Sequence, residues 1–91
     1  MMKRRDKLMV IRDMLGIIRE RRNSILPTPL QRASNLSTER FNEYLAELLA
    51  KGLVREMVGP DAKTFITLTD DGFRYLEKYQ KIEEFIEEFG L

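Results

Sequence analysis

The side chains of this 91-residue chain that can do chemistry are guanidinium, ammonium, carboxylate, hydroxyl and amide groups, because cysteine and histidine are both absent. That absence removes disulfides, thiol nucleophiles, zinc sites built on sulfur or imidazole ligands, and every triad that uses an imidazole base. The 15 acidic residues can in principle exchange protons or hold magnesium, yet most are interleaved with bases along helical segments and read as solvated faces. No activated nucleophile or base can be assembled from this set. The expectation is therefore a binding protein and not an enzyme, with no cofactor, no metal and no small-molecule substrate.

The charges are distributed unevenly. Residues 1–22 carry eight bases (Lys3, Arg4, Arg5, Lys7, Arg12, Arg19, Arg21, Arg22) against three acids, residues 23–69 carry five of each, and residues 70–91 carry three bases against seven acids. One end can face a polyanion while the other faces water. No apolar run approaches the roughly 18 to 20 residues of a membrane span. The basic start leads into a segment interrupted by Arg12 and Asp13 with no small-residue cleavage site after it, so a cytoplasmic location is expected.

These groups must be positioned by elements that the hydrophobic spacing defines. From Arg4 to Arg22, Leu8, Ile11, Leu15 and Ile18 follow the 3-4-3 spacing of one helical face, and Val10, Met14 and Ile17 widen it. Gly16 inside this helix implies either close packing against another backbone or a tolerated glycine costing about 1 kcal/mol relative to alanine. Thr28-Pro29-Leu30-Gln31 has the form of a capping box, with Thr28 as cap and Gln31 reaching back to its amide, and opens a short second helix. Asn35-Leu36-Ser37 interrupts it. Ser37 then caps a third helix that starts at Thr38, buries Phe41, Tyr44, Leu45, Leu48 and Leu49, and stops at Lys51-Gly52. Leu53 to Val58 and Thr64 to Leu68 alternate as half-buried strands around a turn at 59–63, which predicts one β-hairpin. Thr69 caps a fourth helix reaching about Phe89, some 30 Å long, with Asp70 and Asp71 in its positive first turn. Along it Tyr75, Tyr79, Ile82, Ile86 and Phe89 form a 4-3-4-3 seam, flanked by Leu76 and Phe85.

Helix, short helix, turn, helix and hairpin in this order predict an α+β winged helix-turn-helix of three helices plus a β-hairpin wing over residues 1–69, followed by a long C-terminal helix over 70–91. In detail, Asn35-Leu36-Ser37 entering the third helix, Tyr44-Leu45 with Leu48, Gly52-Leu53 closing it, and Leu68-Thr69 with Gly72 opening the last helix resemble the archaeal single-winged-helix family. That family comprises transcriptional regulators and small chromatin-associated DNA-binding proteins, and the resemblance runs from about Lys7 to Leu91. It implies double-stranded DNA as partner and a homodimer joined by an antiparallel pair of C-terminal helices.

Carried onto this chain, the resemblance turns the start and outward side of the third helix toward a DNA groove: Thr38, Glu39, Arg40, Asn42 and Glu43. Arg40 can chelate guanine O6 and N7, Asn42 can pair with adenine or a phosphate, and the Ser37 and Thr38 hydroxyls can anchor backbone oxygens. Arg55 and Lys63 in the wing and Arg32 on the short helix are candidate phosphate contacts. Arg4, Arg5 and Lys7 read either as an arm along the duplex or as a solvated terminus, and Arg40 can instead pair with Glu43 or Glu47. Tyr75, Tyr79, Ile82, Ile86 and Phe89 read as the dimer seam, or as a helix folded back onto the first one within one chain. Glu39 and Glu43 depart from a DNA-facing pattern, since acids repel phosphates unless one accepts from cytosine N4. They keep a second reading open, a winged-helix adaptor in transcription or replication machinery that docks on a basic protein.

Overall fold

The computed structural model describes residues 7–91. Four helices and a hairpin follow in order: α1 (Lys7–Glu20), α2 (Pro27–Ser34), α3 (Thr38–Ala50), β1 (Val54–Val58), β2 (Thr64–Leu68) and α4 (Asp70–Glu88). The winged helix-turn-helix with a long C-terminal helix is thus the observed architecture.

The apolar stripe of α1 supplies the centre of the core. Val10, Ile11, Met14, Leu15 and Ile18 are buried together with Ile25, Leu30, Phe41, Leu48, Val54, Ile66, Leu68 and Leu76, so every element contributes to one cluster. Two expectations for α1 need correction. Leu8 is exposed, and the helix ends at Glu20, because the backbone turns left-handed at Arg22 (φ 61°) and Asn23 (φ 59°). The Asn23 side chain stabilises that turn by accepting the Leu68 amide at 2.7 Å. Gly16 is not a close-packing glycine, since a Cβ there would meet nothing within 4 Å.

The capping box is also overturned. The cap of α2 is Leu26, which makes no side-chain bond, and Pro27, Thr28 and Pro29 form the first turn, where a missing N–H costs nothing. Gln31 reaches forward instead: its Nε2 donates to the Thr38 hydroxyl at 3.0 Å and to the Leu36 carbonyl at 3.4 Å, clasping the turn between α2 and α3. Asn35 ends α2 in the left-handed conformation that asparagine tolerates. Ser37 caps α3 as expected, its Oγ accepting the Arg40 amide at 3.2 Å, and Gly52 at φ +72° follows the last turn.

β1 and β2 pair antiparallel in the register Val54 with Leu68, Glu56 with Ile66 and Val58 with Thr64. Burial does not alternate along β1, where only Val54 is inside; Ile66 and Leu68 are the buried residues of β2. A third extended segment adds to the far edge of β2, where Ile25 and Ile66 exchange amide-to-carbonyl bonds of 3.2 and 2.8 Å.

Thr69 caps α4 by accepting the Gly72 amide at 3.1 Å, and its own hydroxyl donates to the Gly52 carbonyl at 2.5 Å. Gly72 lies where α4 crosses the end of α3: an added Cβ would sit 2.3 Å from the Leu53 carbonyl oxygen. The first half of α4 packs on α1 through Leu76 and Tyr75, whose hydroxyl donates to the Leu8 carbonyl at 3.0 Å. Arg12 extends the contact, bonding Glu83 at 2.5 Å and lying 5.2 Å from the centre of the Tyr79 ring, which stacks on Tyr75. Beyond Glu83 the helix is exposed: Phe85, Phe89 and Leu91 are 54%, 61% and 80% exposed, and the Phe85 and Phe89 rings meet only along the helix at 5.0 Å between centroids. No helix among the described residues is long and apolar enough to cross a membrane.

Candidate nucleic-acid interface

The outward side of α3 is open. Phe41 and Leu48 anchor the helix to the core while Thr38, Glu39, Arg40, Asn42, Glu43 and Ala46 are exposed, so a polar surface of about three turns faces solvent. The two hydroxyls at its start are engaged as acceptors only. Ser37 receives the Arg40 amide and Thr38 receives Gln31, which leaves each O–H able to donate to a phosphate oxygen.

Arg40 pairs with neither Glu43 nor Glu47. Its guanidinium lies 5.8 Å from the centre of the Tyr44 ring, and Glu47 is held by Lys7 at 2.6 Å and Lys51 at 3.9 Å. The Glu47 hydrogen bond, and then its charge, hold the Lys7 ammonium above its ordinary pKa. A cation resting on an aromatic face keeps its donors free and loses little freedom when it binds, which suits a side chain that must reach a base edge or phosphate. Among the described residues no base lies in ion-pair range of Glu39 or Glu43.

Arg32 is exposed on α2 beside the clasped turn, and Arg55 is exposed on β1 opposite Thr67. Lys63 ends the wing loop with its ammonium 3.8 Å from Asp61, so the loop carries nearly balanced charge. The proposed arm residues Arg4 and Arg5 lie outside the described residues, and Lys7 belongs to α1. The seam residues divide: Tyr75 and Tyr79 lie against α1 of the same chain, whereas Ile82, Ile86 and Phe89 are exposed with Phe85.

Sequence reasoning missed three positioning contacts. The Ile25 strand pairing had a faint signal in the extended Ser24-Ile25-Leu26 before two prolines. The Gln31 clasp was masked by the apparent capping box. The hold of Arg12 on Glu83 and Tyr79 spans 71 residues and leaves no local trace.

A helix-turn-helix unit with its second helix exposed, backed by a three-segment sheet whose hairpin projects beside it, defines the winged-helix class of domain. The chain belongs to the winged helix-turn-helix family, whose model matches residues 4–87. No curated protein matches. Among solved structures, it is similar to MepR, a transcription regulator of the Staphylococcus aureus multidrug efflux pump MepA (18% identity, TM-score 0.78, 88% of this chain and 60% of that one). It is also similar to MarR from E. coli in its oxidized form (24%, 0.69, 78% and 51%). F93 from STIV, a winged-helix DNA-binding protein, aligns at 14% identity and TM-score 0.75 over 88% of this chain and 92% of that one. The chain spans about 60% of the length of MepR and of the putatively regulatory Pseudomonas aeruginosa protein it also matches.

Proposed function

We propose that this chain binds duplex DNA as a homodimer, in the role of a transcriptional regulator or a chromatin-associated protein of the archaeal single-winged-helix type. α3 enters the major groove, the wing lies on flanking phosphates, and the exposed ends of α4 pair. The observation that carries this reading is the open outward side of α3, with Arg40 parked on Tyr44 and no carboxylate in ion-pair range of it among the described residues. A mutant of the structurally similar MarR is known in complex with operator DNA, which supports the docking mode. In it Arg40 and Asn42 read base edges, Ser37 and Thr38 donate to phosphates, and Arg32, Arg55 and Lys63 hold the flanking backbone. Nothing in this role needs a catalytic group or a cofactor.

Exposed Glu39 and Glu43 favour the competing adaptor role, in which α3 docks on a basic protein. A low-salt titration on mixed-sequence duplex separates the two. Binding at about 1 to 100 μM or tighter, weakened roughly tenfold by Arg40→Ala and made less salt-sensitive by Lys63→Ala, is the expected result. Silence up to about 100 μM favours the adaptor. Binding that neither substitution alters refutes this placement of α3 and the wing.

A further inference from the structure

The bases of this protein are not neutralised evenly. Lys7, Arg12, Lys51, Lys63 and Arg74 each have a carboxylate in ion-pair range. Arg19, Arg21 and Arg22, three arginines within four residues, are all exposed and have no such partner among the described residues. They sit at the end of α1, where the helix dipole places about half an elementary negative charge. Three guanidinium groups exceed that charge even after Glu20 is counted against them.

The backbone holds the cluster in place. Arg22 and Asn23 take the left-handed conformation, rare for residues with a side chain, and Asn23 is bonded to the Leu68 amide while Ile25 pairs with Ile66. Arg21 and Arg22, with Glu20 and Ser24, line a groove of about 450 Å³ together with Ile25, Leu26, Pro29 and Phe65, whereas Arg19 lines a neighbouring groove with Ala33 and Tyr79. An apolar lining with two guanidinium groups and a hydroxyl against one carboxylate, Glu20, keeps a net positive charge and suits a sugar-phosphate backbone, in which apolar sugar faces alternate with anionic oxygens.

This surface is separate from α3. α3 packs on β1, while the Ile25 segment lies on the other edge of β2, two strand spacings or about 9.5 Å from β1. Asn23 sits at Leu68, the end of β2 remote from the wing loop, about 17 Å along the strand from Lys63. The groove reaches the wing at Phe65, which lies beside Gly59, so it is the arginine end, next to Asn23, that is set back from the wing loop.

We infer that Arg21 and Arg22 and the groove they line, with Arg19 adding positive charge nearby, form a second binding surface for the phosphodiester backbone, engaging a duplex segment other than the one on α3. The inference rests on the proposed reading in which a first duplex is seated on α3 and the wing. Its test uses the full chain on a bead-bound duplex little longer than one α3-wing footprint, with a fluorescent duplex of different sequence added second. Wild type captures the second duplex, whereas Arg21→Glu with Arg22→Glu loses at least tenfold of that capture and keeps binding to the first within about twofold. Arg21→Lys with Arg22→Lys retains most of the capture, because charge at this site matters more than fork geometry. Thermal melting confirms folding, as all three side chains are exposed. Undiminished capture by the Arg→Glu pair overturns the inference, for bridging would then come from the two heads of a dimer; so does a wild type that captures no second duplex. Loss of first-duplex binding in Arg40→Ala, or its absence, bears on the α3 reading alone.

Discussion

Gly72→Ala tests whether the start of α4 is fixed by backbone contact with the end of α3. The new methyl carbon would lie 2.3 Å from the Leu53 carbonyl oxygen and 3.2 Å from the Leu68 Cδ2. Backbone does not tolerate a Cβ nearer than 3.0 Å, so α4 and the α3–β1 junction must part by at least about 0.7 Å, the difference between those two distances. The same carbonyl accepts the Thr69 amide at 3.1 Å, and the Thr69 hydroxyl reaches Gly52 next to it, so parting weakens two hydrogen bonds. Overpacking of this kind costs about 1 to 3 kcal/mol and each weakened bond up to roughly 1 kcal/mol. Alanine returns about 1 kcal/mol through helix propensity. The net loss is about 2 kcal/mol, or roughly 10 °C in melting temperature for a domain of this size. Gly16→Ala is the control, because it adds the same methyl to a helix where nothing lies within 4 Å and should raise stability by about 0.5 to 1 kcal/mol. Urea unfolding of the three proteins, with midpoints compared at constant slope, reads both effects. Equal shifts of the same sign at the two glycines would refute the reasoning.

Two further outcomes follow from the surfaces of α3 and α4. A chain ending at Glu84 keeps Tyr79 and Glu83 on Arg12 but removes Phe85, Ile86, Phe89 and Leu91; if the proposed dimer forms through this end, the full chain should sediment as a dimer and the truncated one as a monomer that loses about 100-fold or more in affinity for duplex with two sites. An unchanged sedimentation coefficient places the dimer contact elsewhere. Glu39→Gln with Glu43→Gln should strengthen duplex binding several-fold at low salt and less at high salt, since it removes two exposed charges that the proposed docking turns toward phosphates. Weaker binding in a titration of the double variant would show that one of the acids accepts a base donor.

The elements were legible in the sequence because each carries its own local punctuation. Ser37 and Thr69 mark the starts of α3 and α4 through hydroxyls that accept an amide three residues on, and Lys51-Gly52 marks a stop, all within one helical turn. The α2 start was misread for the opposite reason. Thr28 and Gln31 fit a capping pattern, but two prolines let the helix begin earlier without losing donors, and Gln31 gains more from clasping α3. β1 escaped its pattern because a wing buries only its root, so Met57 and Val58 have no layer to face. Of the candidate site, the exposure of α3 was readable from the positions opposite Phe41 and Leu48. The placement of Arg40 on Tyr44, beside a Glu47 held by Lys7 and Lys51, was not, since the Lys7 contact joins the start of α1 to α3 across 40 residues of sequence.

The wing has a graded anchorage with a dynamic consequence. Val54, Ile66 and Leu68 at its base are sealed within the core, with Ile66 stitched to Ile25 and Leu68 to Asn23, while the span from Met57 to Lys63 leans on little besides Phe65 beside Gly59. Amide hydrogens at the base should therefore exchange only with global opening, and those at the tip within the native state. A finger that is stiff at the knuckle and pliant at the end can follow grooves of different width while the register of α3 stays unchanged.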